Sequence, residues 1–228
     1  MLIHLPQVLA PDQVTQLRTV LDHAGQAWVD GRVTAGYQGA PVKLNQQIDE
    51  RCDVALQCQR VITTALERNA LFISAALPNV LYPPMFNRYG EAMGFGSHVD
   101  GSVRLHPHNG SKLRTDLSAT LFLSEPAEYD GGELRIEDTY GTHSVKLPAG
   151  DMVLYPSTSL HEVTTVTRGV RVACVTWVQS MVRDDSNRGL LFDLDNAIQR
   201  LNATEADAPA RRTLVGTYHN LLRKWADM

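Results

Sequence analysis

Between residues 79 and 179 the chain breaks into seven short β-rich runs, at 85–89, 117–123, 133–137, 144–147, 152–155, 161–167 and 170–178. Each is too brief for an ordinary helix, and turn chemistry separates them: Tyr129-Asp130-Gly131-Gly132, Tyr140-Gly141-Thr142 and Pro148-Ala149-Gly150-Asp151. Strands this short and this closely spaced favour an antiparallel sandwich or open barrel over a doubly wound parallel sheet. Within this reading 161–166 is one strand, Arg168-Gly169 a turn, and 170–178 its antiparallel return.

Helical periodicity lies on either side. Pro11 suits an early helical position, and Val14, Leu17, Leu21 and Ala24 follow on one face. A second helix is expected over 49–69, where Val54, Cys58, Val61 and Ala65 share a stripe, with Cys58 in the core. The stretch 28–48, with Gly31, Gly36, Gly39 and Pro41, breaks both periodicities and reads as a loop or hairpin. After Val182, Asp184-Asp185-Ser186 can cap a helix carrying Leu191, Leu194, Ile198 and Leu201, and a last helix carries Leu214, Tyr218, Leu221, Leu222 and Trp225. The fold class expected is mainly β with flanking helices, an α+β arrangement. It divides into an N-terminal helical and loop region at 1–78, a strand-rich core at 79–182 and a helical extension at 183–228. The C-terminal stripes buttress the sheet or a partner subunit, so a homo-oligomer formed through these helices is one expectation.

A chain of 228 residues can bury one substantial core. Its net charge of −4 argues against nucleic acid as the main partner, because phosphate binding calls for a basic excess. Three cysteines, Cys52, Cys58 and Cys174, form neither a CxxC pattern nor an even framework, which fits a reducing cytoplasm. The apolar runs fall short of the roughly 20 residues that span a bilayer, and the first residues lack the basic and apolar regions of a secretion signal. No membrane association is expected.

The chemistry-bearing pattern is His98-Val99-Asp100, followed by His161 and then Arg171. Side chains two apart on extended backbone project to the same side, so His98 and Asp100 can address one point. A histidine from a second strand completes a two-histidine, one-carboxylate face. Such a face leaves about three positions open on a six-coordinate ion and suits non-haem Fe(II) oxygen chemistry, unlike a closed structural zinc site. Arg171, placed near His161 by the expected hairpin, offers a planar, permanently charged fork for the far carboxylate of an acidic cosubstrate, 2-oxoglutarate.

Rival sites are weaker. His106-Pro107-His108 has the form of a cupin-like metal pair, but the proline sits poorly in a strand and no suitable glutamate follows. The segment 104–114 is therefore read as a loop near the mouth of the site, available to contact substrate. His4, His23, His143 and His219 carry no neighbouring ligand pattern and are read as surface or structural histidines. Gly90, Gly94, Gly96, Gly131 and Gly132 are read as turn or bulge residues.

Four segments in order, NRYGEAMGFGSHVD at 87–100, DGGEL at 130–134, PAGDMVLY at 148–155 and the unit from His161 to Arg171, resemble the prolyl/lysyl hydroxylase branch of the 2-oxoglutarate and Fe(II) dioxygenases. More narrowly, the chain resembles the bacterial PKHD-type hydroxylases over nearly its whole length. The resemblance implies a double-stranded β-helix, or jelly-roll, with iron on His98, Asp100 and His161 as the catalytic centre and the distal 2-oxoglutarate carboxylate on Arg171. It also implies L-ascorbate as a support for turnover. Phe95 stands where many prolyl hydroxylases carry a second tyrosine near the cosubstrate, leaving Tyr89 as the candidate phenol there.

The expected reaction is hydroxylation of a small-molecule or peptidyl substrate with conversion of 2-oxoglutarate to succinate and CO2, and the resemblance hints at a link to iron acquisition. Tyr37, Lys43, Asn45 and Gln47 are candidates for a lid over the site. Two alternatives stay open at this level: a cupin-like metal enzyme that uses no 2-oxoglutarate, and a non-catalytic iron or 2-oxoglutarate sensor.

Overall fold

The computed structural model describes residues 1–37, 39–203 and 207–227. Its larger sheet runs β1 (Ile3–Leu5), β14 (Met152–Pro156), β10 (Leu117–Phe122), β17 (Arg171–Ser180), β6 (Met85–Tyr89), β4 (Gln46–Ile48), β2 (Trp28–Asp30), with β5 (Pro78–Leu81) also pairing with β17. A smaller sheet runs β13 (Gly141–Val145), β12 (Leu134–Asp138), β15 (His161–Val163), β7 (Gly94–His98), β3 (Lys43–Leu44). Two ribbons complete the β structure, β8 (Val103–Leu105) with β9 (Lys112–Arg114) and β11 (Tyr129–Asp130) with β16 (Arg168–Gly169). The pairings are antiparallel throughout.

Alternation along the large sheet sorts its side chains into two layers. Phe86, Leu117, Ala119, Leu121, Val172, Cys174 and Val178 point outward into the main core. There they meet helix α1 (Pro11–Asp22), helix α2 (Asp53–Glu67) and helix α3 (Ala70–Ala76) through Leu17, Leu21, Cys58, Ile62 and Phe72. The opposite face carries Tyr89, Phe122, Val153 and Tyr155, which pack against Leu134, Ile136 and Val163 of the small sheet. The two sheets are therefore layered face to face, and the space between them is lined by this inner set.

Helix termini follow local chemistry. Pro11 occupies the first turn of α1, where no backbone donor is needed. Helix α2 starts at Asp53, four residues later than expected, because the Cys52 side chain caps it by accepting from the Ala55 N–H at 3.5 Å. Helix α4 (Asp185–Asn202) is capped by Asp184, which accepts from the Asn187 N–H at 2.8 Å, and it packs against helix α5 (Ala208–Trp225). The α5 stripe of Tyr218, Leu221, Leu222 and Trp225 closes over Leu77, Val182 and Leu191 of the same chain.

Three sequence expectations are corrected. The residues 161–166 and 170–178 do not form a hairpin: β15 pairs with β12 and β7 in the small sheet, whereas β17 lies in the large one between β10 and β6. The intervening β16 pairs with β11, so the chain crosses between sheets where a tight turn was expected. The segment 104–114 is a short β-ribbon with ordered tip contacts, in which the His106 N–H donates to the Ser111 carbonyl at 2.8 Å. Finally, Lys43, Asn45 and Gln47 are buried interior residues on or between β3 and β4, while Tyr37 alone of that group is exposed.

Candidate metal and cosubstrate site

His98 ends β7 and His161 begins β15, and the two are directly opposite in the antiparallel ladder. Their ring centroids are 4.3 Å apart. Asp100 lies two residues past the end of β7, with Oδ1 3.9 Å from His98 Nε2 and Oδ2 3.7 Å from His161 Nε2. One donor atom from each side chain falls within 4.8 Å of the others. These gaps are too wide for direct hydrogen bonds, and they leave room for a cation at their centre.

Tautomers are set from behind. His98 Nδ1 donates to the Gly96 carbonyl at 2.8 Å, and His161 Nδ1 donates to the Ser159 carbonyl at 3.0 Å. A carbonyl can only accept, so each Nδ1 carries a proton and each Nε2 is turned toward the carboxylate, the orientation a metal ligand requires. Burial first, and the adjacent imidazole of His161 next, hold His98 below the ordinary histidine range, so it is neutral at pH 7. The Ser118 hydroxyl on β10 donates to Asp100 Oδ2 at 2.6 Å and contacts Ser157 Oγ at 2.8 Å, fixing the carboxylate. Phe95 stacks on His98 at 3.6 Å, and Tyr155 meets His161 edge-on at 5.2 Å.

Arg171 opens β17 on the inner face of the large sheet, directly opposite Tyr89 on β6. It is 2% exposed, its guanidinium carbon lies 5.3 Å from the Tyr89 ring centre and 5.5 Å from that of Phe122, and among the described residues no carboxylate pairs with it. Its Nε is buried without a hydrogen-bond partner, as is the hydroxyl of neighbouring Tyr129. A buried cation whose nearest polar neighbour is the phenol of Tyr129, itself without a well-formed hydrogen bond, is costly unless an anion completes the pocket. Gly131 and Gly132 shape the wall in the left-handed region, at φ +70° and +63°. A Cβ on Gly132 would lie 3.1 Å from both Arg171 Cδ and the Tyr129 ring.

The structure thus brings His98, Asp100 and His161 together, and Tyr89 together with Arg171. His106 and His108 are not part of a metal-capable group among the described residues. Sequence reasoning passed over Tyr129, seen only as part of a turn, and Ser118, one small polar residue in an apolar strand. Ser118 had a signal, since it falls on the inner face by strand alternation. Phe95, noted for the hydroxyl it lacks, proves to be the stacking partner of His98. The cleft of about 550 Å3 bounded by Asp49, Glu50, Arg51, Tyr82, Leu105 and His106 includes none of the triad and is not the centre of the chemistry.

Layered antiparallel sheets with a His-x-Asp and a second histidine converging between them define a class: the 2-oxoglutarate-dependent iron oxygenases with a jelly-roll core. Residues 84–179 match the family model of the 2OG-Fe(II) oxygenase superfamily, and residues 185–227 match that of the PKHD-type hydroxylase C-terminal domain. A PKHD-type hydroxylase of Cupriavidus metallidurans is 73% identical over 227 residues, and PKHD-type hydroxylase YbiX of Escherichia coli is 55% identical over 228; each alignment covers 100% of both chains. The chain belongs to the PKHD-type hydroxylase family. Solved structures share the fold at low identity. A Pseudomonas putida prolyl-4-hydroxylase aligns over 78% of this chain and 92% of its own with TM-score 0.53 and 22% identity. A Trichoplax adhaerens prolyl hydroxylase, solved with a hypoxia inducible factor peptide fragment, aligns over 83% and 86% with TM-score 0.54 and 15% identity. Family membership makes this a 2-oxoglutarate-dependent iron hydroxylase and implies Fe(II) and 2-oxoglutarate as its cofactor and cosubstrate. Among the described residues no helix is long and apolar enough to cross a membrane.

Proposed function

We propose that His98, Asp100 and His161 hold the iron, that Arg171 holds the distal carboxylate of 2-oxoglutarate with Tyr89 beneath it, and that the enzyme hydroxylates a substrate while 2-oxoglutarate becomes succinate and CO2. The observation that carries this reading is the buried, unpaired guanidinium of Arg171, on the inner face that also carries Ser118, the residue holding Asp100. A two-histidine, one-carboxylate donor set fits a ferrous ion with open positions, and the orphaned Arg171 Nε and Tyr129 hydroxyl fit a carboxylate. When bound, iron and cosubstrate supply the oxidising power that no side chain has. The protein's part is to orient: the Gly96 and Ser159 carbonyls fix the imidazoles, Ser118 fixes Asp100, and the apolar ring of Phe95, Phe122 and Tyr155 restricts water.

In the same reading L-ascorbate supports turnover by keeping iron reduced, the substrate is a small molecule or a peptidyl side chain, the enzyme works in the cytoplasm, and its biological setting is iron acquisition. The peptide bound by the Trichoplax enzyme supports the peptidyl option. Residues 79–182 form the catalytic core, with 1–78 packed on it and 183–228 as a helical extension. The test is oxygen-dependent succinate formation with wild type, Asp100→Ala and Arg171→Ala. Asp100→Ala is expected to lose iron and all turnover. Arg171→Ala is expected to keep iron and bind 2-oxoglutarate about 1.5–3 kcal/mol more weakly. Unchanged cosubstrate affinity in Arg171→Ala would remove the assignment.

A further inference from the structure

Two more cations face the space between the sheets, and neither belongs to the cosubstrate pocket. Lys43 on β3 is only 7% exposed, yet the only hydrogen bond its side chain makes among the described residues is from Nζ to Thr34 Oγ1 at 3.3 Å. The three carboxylates that act on it electrostatically, Asp100, Glu50 and Asp30, are all engaged elsewhere. Asp100 stands in the histidine triad, Glu50 accepts from the Tyr82 hydroxyl at 2.8 Å, and Asp30 is paired with Arg32. Arg104 on β8 is held between rings, its guanidinium carbon 3.9 Å from the Trp177 ring centre and 4.7 Å from that of Tyr82. It has no ion pair among the described residues, its Nε is buried without a partner, and its side chain reaches only Met85 Sδ at 3.6 Å and the Tyr82 phenol, which itself donates to Glu50.

Lys43 is one ring away from a triad residue, and Arg104 is a ring and a serine away. Lys43 lies 5.2 Å from the ring centre of Phe95, which stacks on His98. Arg104 lies on Trp177, whose cross-strand partner Ser118 holds Asp100. The two come from separate elements, the small sheet and the β8–β9 ribbon, and Arg104 is the strongest charge acting on Lys43. The carboxylates that offset this repulsion are held by other partners, and an anion reached by both cations would reverse its sign. Burial and Arg104 together push the Lys43 ammonium down to about 8, so at neutral pH the amine keeps its charge at a cost that an anion would offset.

We infer that Lys43 and Arg104 bind an anionic group of the primary substrate, a carboxylate or a phosphate, and thereby select an acidic substrate for the iron centre. This inference rests on the proposed iron and 2-oxoglutarate site and deepens it by naming the substrate class. Lys43 supplies a point charge, and Arg104 supplies a planar fork kept in place by aromatic stacking. Both are specificity residues, since neither touches the triad.

The test is anaerobic calorimetry on the protein loaded with Fe(II) and 2-oxoglutarate. Probes are matched pairs: N-acetyl amino acids against their primary amides, and phosphate monoesters against the parent alcohols, so the two anion classes are read separately. Wild type is expected to bind the anionic member of at least one series at least about tenfold more tightly than its neutral match. In Lys43→Met combined with Arg104→Gln that ratio falls to about one, and Lys43→Arg alone retains it. Equal binding within both series, no binding in either, or a preference that survives in the double variant overturns the inference. Affinity for 2-oxoglutarate, measured in the same samples and in Arg171→Ala, keeps the two readings apart. Loss of anion preference with normal cosubstrate binding strikes only Lys43 and Arg104, whereas 2-oxoglutarate affinity indifferent to Arg171 strikes the cosubstrate assignment.

Discussion

The site is built from residues whose own energetics are unfavourable until a ligand arrives, and this makes it testable one side chain at a time. Lys43 titrates at about 8 in the fold against ~10.4 in an unfolded chain, so between those values the unfolded chain binds more protons and stability rises with pH. Below about 8 the full cost of the buried charge is present. Lys43→Met is therefore expected to be more stable than wild type by about 1–3 kcal/mol at pH 7, with the gain vanishing toward pH ~10, as measured by denaturant melts across that range. Identical pH dependence of the two proteins would contradict a desolvated, unpaired Lys43. Gly132→Ala places a Cβ against Arg171 and Tyr129 at a left-handed position. It is expected to cost about 1–2 kcal/mol and to weaken 2-oxoglutarate binding without loss of iron. The triad was legible as letters because a histidine with a carboxylate two residues on is rare enough to weigh. Lys43, Arg104 and Tyr129 were not, since their importance lies in lacking partners, a property of the packed interior alone.

Elements were legible where periodicity was strong. Helix α1, helix α4 and the strands β6, β10, β14 and β17 fall within a few residues of their expected places. The strand that carries His98, Gly94–His98, did not stand out, because a Gly-rich run has no alternating apolar face; its order comes from pairing with β15 and β3. The expected 161–178 hairpin failed for a related reason. Adjacent β-rich runs look alike whether they pair with each other or join different sheets, and β17 finds better partners in β10 and β6. That crossing has a functional result: His161 and Arg171 approach from opposite walls instead of along one ladder. At this scale the Asp184 cap offers a clean check. Asp184→Ala is expected to cost about 1 kcal/mol in thermal or chemical unfolding and to leave iron affinity untouched, because α4 lies on the side of the molecule remote from the inner face.

Across the whole molecule, one layer serves stability and the other serves chemistry. The outer face of the large sheet joins the N-terminal helices in the main core, and the inner face presents Arg171, Tyr89 and Ser118 to the triad, whose histidines the small sheet carries. The C-terminal helices cover Leu77 and Val182, so their removal would bare an apolar patch; a chain ending at Val182 is expected to lose solubility or melt earlier. The account stands or falls on convergence between the sheets, and anaerobic titration with Fe(II) and then 2-oxoglutarate, followed by metal analysis and calorimetry, tests it most directly. The expected result is one iron per chain, lost in His98→Ala, Asp100→Ala and His161→Ala, with 2-oxoglutarate binding that needs the iron and weakens at least about tenfold in Arg171→Ala. Full iron binding in all three ligand variants, or cosubstrate binding indifferent to both iron and Arg171, would contradict it.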